Sequence, residues 1–310
     1  MQKKITSNEK IVVKVGTRSS KLAIRQAKIA IKAMQKINGK IKFEIVKIET
    51  KGDIRLESGI FEKSGFKGIF TKEIQHALLN KTIDIAVHSM KDLQIEIPKN
   101  NEIIAILKRD IPNDGFFSDK YKSLMCIPKN GKIGTSSIRR KMFINKLRPD
   151  LNVIPLRGNI ETRLEKIKNQ NLDGIILSYC GISRMKYLSK VKYYEKLNHK
   201  NFIPSPGQGA IGIEILSESS NEMLKKVLYK ISCKKTYFCI KKERLLAKLA
   251  GAFCQTPFGC CIEKHRDFMI INVGFENQET KNSIFIMEKC RVSEIDYKIM
   301  EIASKIKCII

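Results

Sequence analysis

Ile11-Val12-Val13-Lys14-Val15-Gly16-Thr17-Arg18-Ser19-Ser20-Lys21 is the stretch that decides the fold. Ile11–Gly16 is a run of β-branched residues that reads as a short strand. From Ser19 to Ile37 the apolar residues Ala23, Ala27, Ala30, Ile31 and Met34 recur at helical spacing. A strand therefore turns into a helix at Thr-Arg-Ser-Ser. The arrangement returns at Gly134-Thr135-Ser136-Ser137-Ile138-Arg139-Arg140, between the strand Lys132–Gly134 and a helix over Ser137–Leu147. The serines at these turns are ordinary helix N-caps on one reading. On the other, each helix start offers free N–H groups and a positive dipole end to a carboxylate or phosphate. Two such turns in two similar units suggest an anion held in a cleft between them.

Outward from these turns, strand and helix alternate. Strands are expected at Ile41–Glu49, Ile83–His88 and Glu102–Lys108, with a helix over Phe70–Asn80 and an aperiodic, mobile loop over Lys51–Gly68. Asp110–Asn113 and Pro204–Gly207 read as crossings between domains. Between them lie the strand Asn152–Leu156, the helix Ile160–Lys168 and the buried strand Gly174–Leu177. A strand, Ala210–Leu216, follows the second crossing. The alternation predicts parallel sheets covered by helices, with ligands beyond the carboxyl ends of the strands. From about Cys233 a helix, then strands, then a last helix over Ser293–Lys307 predict a smaller α+β domain.

The 310 residues carry 59 Lys+Arg against 31 Asp+Glu, a formal charge of +28. Nucleic-acid binding, an acidic small-molecule substrate, and lysines spread over solvated faces are the three readings of this excess. The lysines are dispersed along the whole chain, which fits solvated faces; the arginines fall into short motifs and carry the information. Aromatic nucleic-acid motifs, a zinc motif and tryptophan are absent, so neither a nucleic acid nor a membrane is expected as partner. No window approaches ~18 consecutive apolar residues, and the start has no apolar signal-peptide core. The nine cysteines include no C-x-x-C pair and read as free thiols in a reducing, cytosolic compartment.

Six motifs then run in order: Gly16-Thr17-Arg18-Ser19-Ser20, Gly68-Ile69-Phe70-Thr71-Lys72-Glu73, Ile85-Ala86-Val87-His88-Ser89-Met90-Lys91-Asp92, Gly134 to Arg140, Leu156-Arg157-Gly158-Asn159 with Thr162-Arg163-Leu164, and Pro206-Gly207-Gln208-Gly209-Ala210. Together they resemble the porphobilinogen deaminase family. The resemblance implies two similar α/β domains like those of periplasmic binding proteins, with a hinged cleft, plus a smaller C-terminal α+β domain. Domain 1 is expected at residues 1–108 with 208–229, domain 2 at 112–205 and domain 3 at 232–310. A monomer is implied.

The family's reaction joins four porphobilinogen molecules head to tail, with loss of ammonia, and water then releases linear hydroxymethylbilane. Each substrate carries two carboxylate arms, for which arginine's planar fork is suited. The resemblance assigns Arg139, Arg140 and Arg163, with Lys91, Thr135 and Ser137, to a dipyrromethane cofactor. It assigns Arg18, Ser20, Lys63, Lys67, Phe70, Arg157 and Arg184 to substrate. Asp92 is the catalytic candidate, a carboxylate able to hydrogen-bond pyrrole N–H groups, balance cationic intermediates and carry a proton. Cys254, in the Gly- and Pro-marked loop Gly251–Gly259, would attach the cofactor through a thioether. This chain has Ala252-Phe253 where relatives have a glycine pair, Gln94 where proline is usual, and Tyr179-Cys180 in an otherwise alanine-rich turn. No metal is implied.

Overall fold

The computed structural model describes residues 12–53, 70–252 and 256–309. The candidate loop lysines Lys63 and Lys67, and Cys254 with Phe253, lie outside the described residues.

Strand β1 (Val12–Arg18) leads into helix α1 (Lys21–Ile37), and β2 (Lys42–Ile48) returns beside β1 in parallel. Helix α2 (Lys72–Leu79) then leads to β3 (Ile85–Ser89) on the other side of β1, also parallel. After β4 (Asn101–Ile106) the chain crosses over and β5 (Asp114–Ser118) opens a second unit. There β6 (Lys132–Gly134), α3 (Ile138–Leu147), β7 (Asn152–Ile154), α4 (Ile160–Asn169), β8 (Gly174–Ser178), α5 (Tyr179–Arg184) and β9 (Tyr193–Lys196) follow. The chain crosses back into β10 (Ile211–Leu216) and α6 (Glu222–Ile231). A third unit holds α7 (Lys234–Leu249), an antiparallel sheet of β11 (Phe258–Lys264), β12 (Phe268–Glu276) and β13 (Ser283–Arg291), and α8 (Ile295–Lys307).

The strand orders are β2-β1-β3-β10-β4 and β7-β6-β8-β5-β9. Position by position the two sheets match, so β1 and β6 occupy equivalent places, and so do α1 and α3. The similarity of the two serine-rich turns is thus an equivalence of position in two lobes. The expectation of parallel sheets needs correcting, because β10 runs antiparallel to β3 and β4, and β5 runs antiparallel to β8 and β9. Each antiparallel strand is the one entered directly from a crossing. A chain that leaves one lobe for the other arrives without the helical crossover that a parallel neighbour requires.

Each lobe has its own core. Val13, Val15, Ala27, Ala30, Met34, Ile85 and Ile213 fill the first, and Phe116, Ile133, Phe143 and Ile176 the second. Each of the larger of these side chains, valine and above, contributes roughly 1.5–3 kcal/mol through burial. The third unit packs on the second lobe through Phe285 of β13, whose ring centroid lies 5.8 Å from that of Phe143.

The crossings are pinned to each other. The N–H of Asp110 donates to Gly209 O at 3.1 Å. Gly207 and Gly209 have φ of +73° and +87°, and a Cβ on Gly209 would stand 2.7 Å from Asp110 O. Only glycine permits both this backbone and this approach. Arg109 and the fully buried Glu243 of α7 join the first crossing to the third unit by an ion pair at 2.5 Å. The second Glu243 oxygen accepts the N–H of Gly207 at 2.7 Å. One buried carboxylate therefore ties both crossings to the third unit.

Candidate functional site

The helix starts that face the cleft are built by side-chain caps. Ser20 Oγ accepts the N–H of Ala23 at 3.3 Å, and Ser137 Oγ accepts that of Arg140 at 3.4 Å. Asn159 caps α4 through the N–H of Thr162 at 3.0 Å. Thr135 Oγ1, buried, accepts the N–H of Ser137 at 3.2 Å. The cap reading of these turns is what the hydrogen bonds show. The oxygens serve as caps, and each hydroxyl keeps its own O–H to donate to an anion.

Below α3 lies the group that sequence reasoning missed. Asp114, at the start of β5, is 0% exposed. It accepts from Arg139 NH1 at 2.7 Å, Arg140 Nε at 3.0 Å, Arg140 NH2 at 2.8 Å and Gln208 Nε2 at 3.1 Å. Burial pushes its carboxyl upward, but Arg139 and Arg140 outweigh that and hold it below the usual range. Arg139 also donates to Ile203 O at 2.6 Å and Arg140 to Ile176 O at 2.9 Å. The two arginines are thus part of the wall, each with only some guanidinium N–H groups left for a ligand. Arg184 is similarly engaged. It donates to Gly209 O at 2.7 Å and pairs with Asp110 at 3.3 Å, which places it on the crossings.

Lys91 and Arg163 differ from these. Among the described residues the Lys91 amine has no hydrogen-bond partner, and the only partner of Arg163 is Gly158 O at 2.7 Å. Desolvation holds the Lys91 amine below the usual lysine range; Arg140 pushes the same way, while Asp92 pulls upward. Desolvation and Arg140 bring Arg163 down to about 10, again against the pull of Asp92. Lys91, Arg139, Arg140 and Arg163 thus share a desolvated region with two carboxylates, Asp92 and Asp114. Buried cations in excess are costly unless an anion joins them. A multiply carboxylated molecule such as a dipyrromethane fits this region on its charge alone.

Asp92 also faces the first-lobe residues around Arg18. Arg18 forms a two-pronged pair with Asp53, NH2 to Oδ1 at 2.6 Å and Nε to Oδ2 at 3.2 Å. Its guanidinium carbon lies 4.2 Å from the centre of the Phe70 ring. That ring occupies the space where a Cβ on Gly52 would stand, 2.3 Å away. Arg18, Ser20, Phe70, His88, Ser89 and Asp92 bound a small cavity of about 40 Å³. Asp53 occupies the Nε and NH2 edge of Arg18, where it competes with any ligand carboxylate for that face of the fork. Arg157 is exposed at the mouth of the second lobe, beside α4.

His88, which sequence reasoning left without a role, lines this cavity and lies 2.8 Å from Glu214 Oε2, without hydrogen-bond alignment. Glu214 Oε1 accepts from Gln75 at 3.0 Å and Asn101 at 2.7 Å. Its presence inside β10 as a charged residue in an apolar run was the available signal.

Strand β11, which follows the Cys254 loop, runs beside the second crossing. Cys260 N donates to Pro204 O at 2.9 Å, next to the Ile203 carbonyl that Arg139 reaches. Cys260 and Cys261 are buried, and burial pushes both thiols up, Cys261 to about 12. Among the described residues no cluster of His, Cys, Asp and Glu could hold a metal ion, and no helix is long and apolar enough to cross a membrane.

Fold and site together define a two-lobed α/β protein with a third α+β unit and a cluster of arginine and lysine side chains around Asp92 and Asp114. A family model described as porphobilinogen deaminase, dipyromethane cofactor binding domain, matches residues 13–225. The chain is 43% identical over 249 residues to the porphobilinogen deaminase of Carboxydothermus hydrogenoformans, covering 80% of this chain and 78% of that one. To the porphobilinogen deaminase of Rickettsia bellii it is 39% identical over 247 residues, 80% of this chain and 81% of that one. To that of Campylobacter hominis it is 37% identical over 289 residues, 92% and 91% of the two chains. Among solved structures, the methionine binding protein MetQ aligns with 73% of this chain and 92% of its own at 12% identity and a TM-score of 0.43. The chain belongs to the porphobilinogen deaminase family.

Proposed function

We propose that this chain is a hydroxymethylbilane synthase, condensing four porphobilinogen molecules head to tail with loss of ammonia and releasing the linear tetrapyrrole by hydrolysis. The observation that carries the reading is the set of four desolvated cations, Lys91, Arg139, Arg140 and Arg163, gathered around only two carboxylates, Asp92 and Asp114. A dipyrromethane bound through Cys254 would supply the pyrrole from which the chain grows. Arg163, Lys91 and the remaining N–H groups of Arg139 and Arg140 would hold its carboxylates, with Thr135 and Ser137 donating from the start of α3. Arg18, Ser20, Arg157 and Arg184 would receive the carboxylates of incoming substrate, with Lys63 and Lys67 beside them and Phe70 against the pyrrole face.

Asp92 accepts a hydrogen bond from a substrate pyrrole N–H and balances the positive charge that develops as ammonia leaves. It then takes the proton lost from the chain's α-carbon once that carbon has attacked the electrophilic methylene left by ammonia. Each chain carries both walls of its own cleft, so a monomer suffices. The free thiols suit a reducing compartment, and the cytosol is the proposed one. The test is single-turnover reaction of cofactor-loaded enzyme with porphobilinogen, following ammonia and the first adduct. Asp92→Asn should slow adduct formation by ~10²-fold or more while substrate affinity changes little. An adduct formed at the wild-type rate removes Asp92 from the chemistry.

A further inference from the structure

Lys21 opens α1 in the first lobe, and Glu161 stands in the first turn of α4 in the second. Across the cleft, Lys21 Nζ meets Glu161 Oε2 at 2.6 Å. The other Glu161 oxygen accepts the hydroxyl of Tyr187. Among the described residues no other ion pair joins a helix of the first lobe to a helix of the second. An apolar contact lies beneath it. A Cβ on Gly181 of α5 would stand 3.7 Å from Leu22 Cδ2 and 3.4 Å from Ile160 Cδ1, so the start of α1 rests on the second lobe through a glycine. Neither charge has a role in the chemistry above, and Glu161 is well placed at a helix N-terminus with or without a partner.

We infer that Lys21, Glu161 and Tyr187 form a clasp that sets the width of the cleft. They act as positioning residues: Lys21 adjoins Ser20 and Glu161 lies two residues before Arg163, so the clasp holds the two ligand-gripping helix starts at a fixed separation. Its strength suits repeated opening. Lys21 is 72% exposed, and a pair so placed is weak and screened by salt. A chain-lengthening reaction has to admit a new acidic substrate at every cycle, which a buried lock would obstruct. The inference rests on the cleft being the place where the chain grows, but the clasp is observable without any substrate.

The test is energy transfer between fluorophores carried by unnatural amino acids at Lys32 and Asn169, both exposed and one in each lobe. The protein is read alone, in its purified form. Lys21→Gln and Glu161→Gln should each lengthen the mean distance and shift the open-to-closed ratio about two- to fivefold. Raising salt from about 0.01 M to about 1 M, where the screening length falls from about 30 Å to about 3 Å, should shift the wild type the same way. Tyr187→Phe should give a smaller shift, and the exchange Lys21→Glu with Glu161→Lys should move the distance back toward wild type. Single variants and salt that leave the distance unchanged overturn the clasp, as does an exchange that restores nothing. Neither result bears on whether the protein polymerises pyrroles, which the adduct assay reads separately.

Discussion

Replacing Asp114 by Asn removes one negative charge and almost no volume. In the native protein that carboxylate accepts from both Arg139 and Arg140 and from Gln208, with no exposure to water. Guanidinium groups do not shed their protons under ordinary conditions, so the variant leaves two buried positive charges facing a neutral amide. Breaking a buried pair from one side costs about 3–5 kcal/mol, a large part of the stability of a domain. With a urea slope of about 2–3 kcal/mol per molar, the unfolding midpoint should fall by about 1–2 M at pH 7, followed by far-UV circular dichroism. The pH dependence gives a second check. The Asp114 carboxyl is held below its ordinary value of 3.8 by the two arginines. A depressed folded pKa means stability that is present above the unfolded value and lost as pH falls through the folded one. The gap between wild type and variant should therefore be steady above about pH 5 and close in stronger acid. Adding Arg140→Gln to Asp114→Asn should recover part of the loss, because it removes one stranded charge. A midpoint at pH 7 within about 0.3 M of wild type would refute the reasoning, and Arg139 and Arg140 would then be held by something other than this carboxylate.

Other outcomes follow from the same geometry. Asp53→Asn releases Arg18 from its two-pronged pair, and should lower the KM for porphobilinogen a few-fold in steady-state assays, since substrate no longer competes with a resident carboxylate. Arg163→Gln should impair assembly of the cofactor, read as the cofactor-loaded fraction by intact mass, with little change in urea midpoint, because among the described residues its one hydrogen-bond partner is a backbone carbonyl. Cys260 and Cys261 should resist alkylation in the folded protein at pH 8, since burial keeps both thiols protonated, and should react only after unfolding.

Much of the fold was legible because local signals and tertiary structure agree. The helical spacing of Ala23, Ala27, Ala30 and Met34 is the buried face of α1, and the serine turns sit where strands become helices in both lobes. The antiparallel strands β5 and β10 were not legible as such. Their direction depends on where the chain re-enters a sheet, which no local pattern records. Asp114 follows the crossing Asp110–Asn113 without any signal of its own in the sequence, yet it is a strand residue whose burial the distant Arg139 and Arg140 make tolerable. The site was legible as a set of residue types but not as a division of labour. Arg139, Arg140, Arg163 and Arg184 look alike as motif arginines. One pair is neutralised by Asp114, Arg184 is bound to the crossings, and Arg163 is left facing the cleft, because of partners up to tens of residues away.

The central claim is that pyrroles are assembled on this chain, on a cofactor anchored at Cys254, and intact-mass measurement tests it most directly. Purified protein should exceed its sequence mass by two linked pyrrole units. Brief exposure to porphobilinogen should add a ladder of species, each heavier by one substrate less ammonia. Cys254→Ser should abolish both the resident increment and the ladder, whereas Cys260→Ala and Cys261→Ala should retain them. An increment that survives Cys254→Ser contradicts the anchor, and wild-type protein that carries no increment and forms no ladder contradicts the function itself.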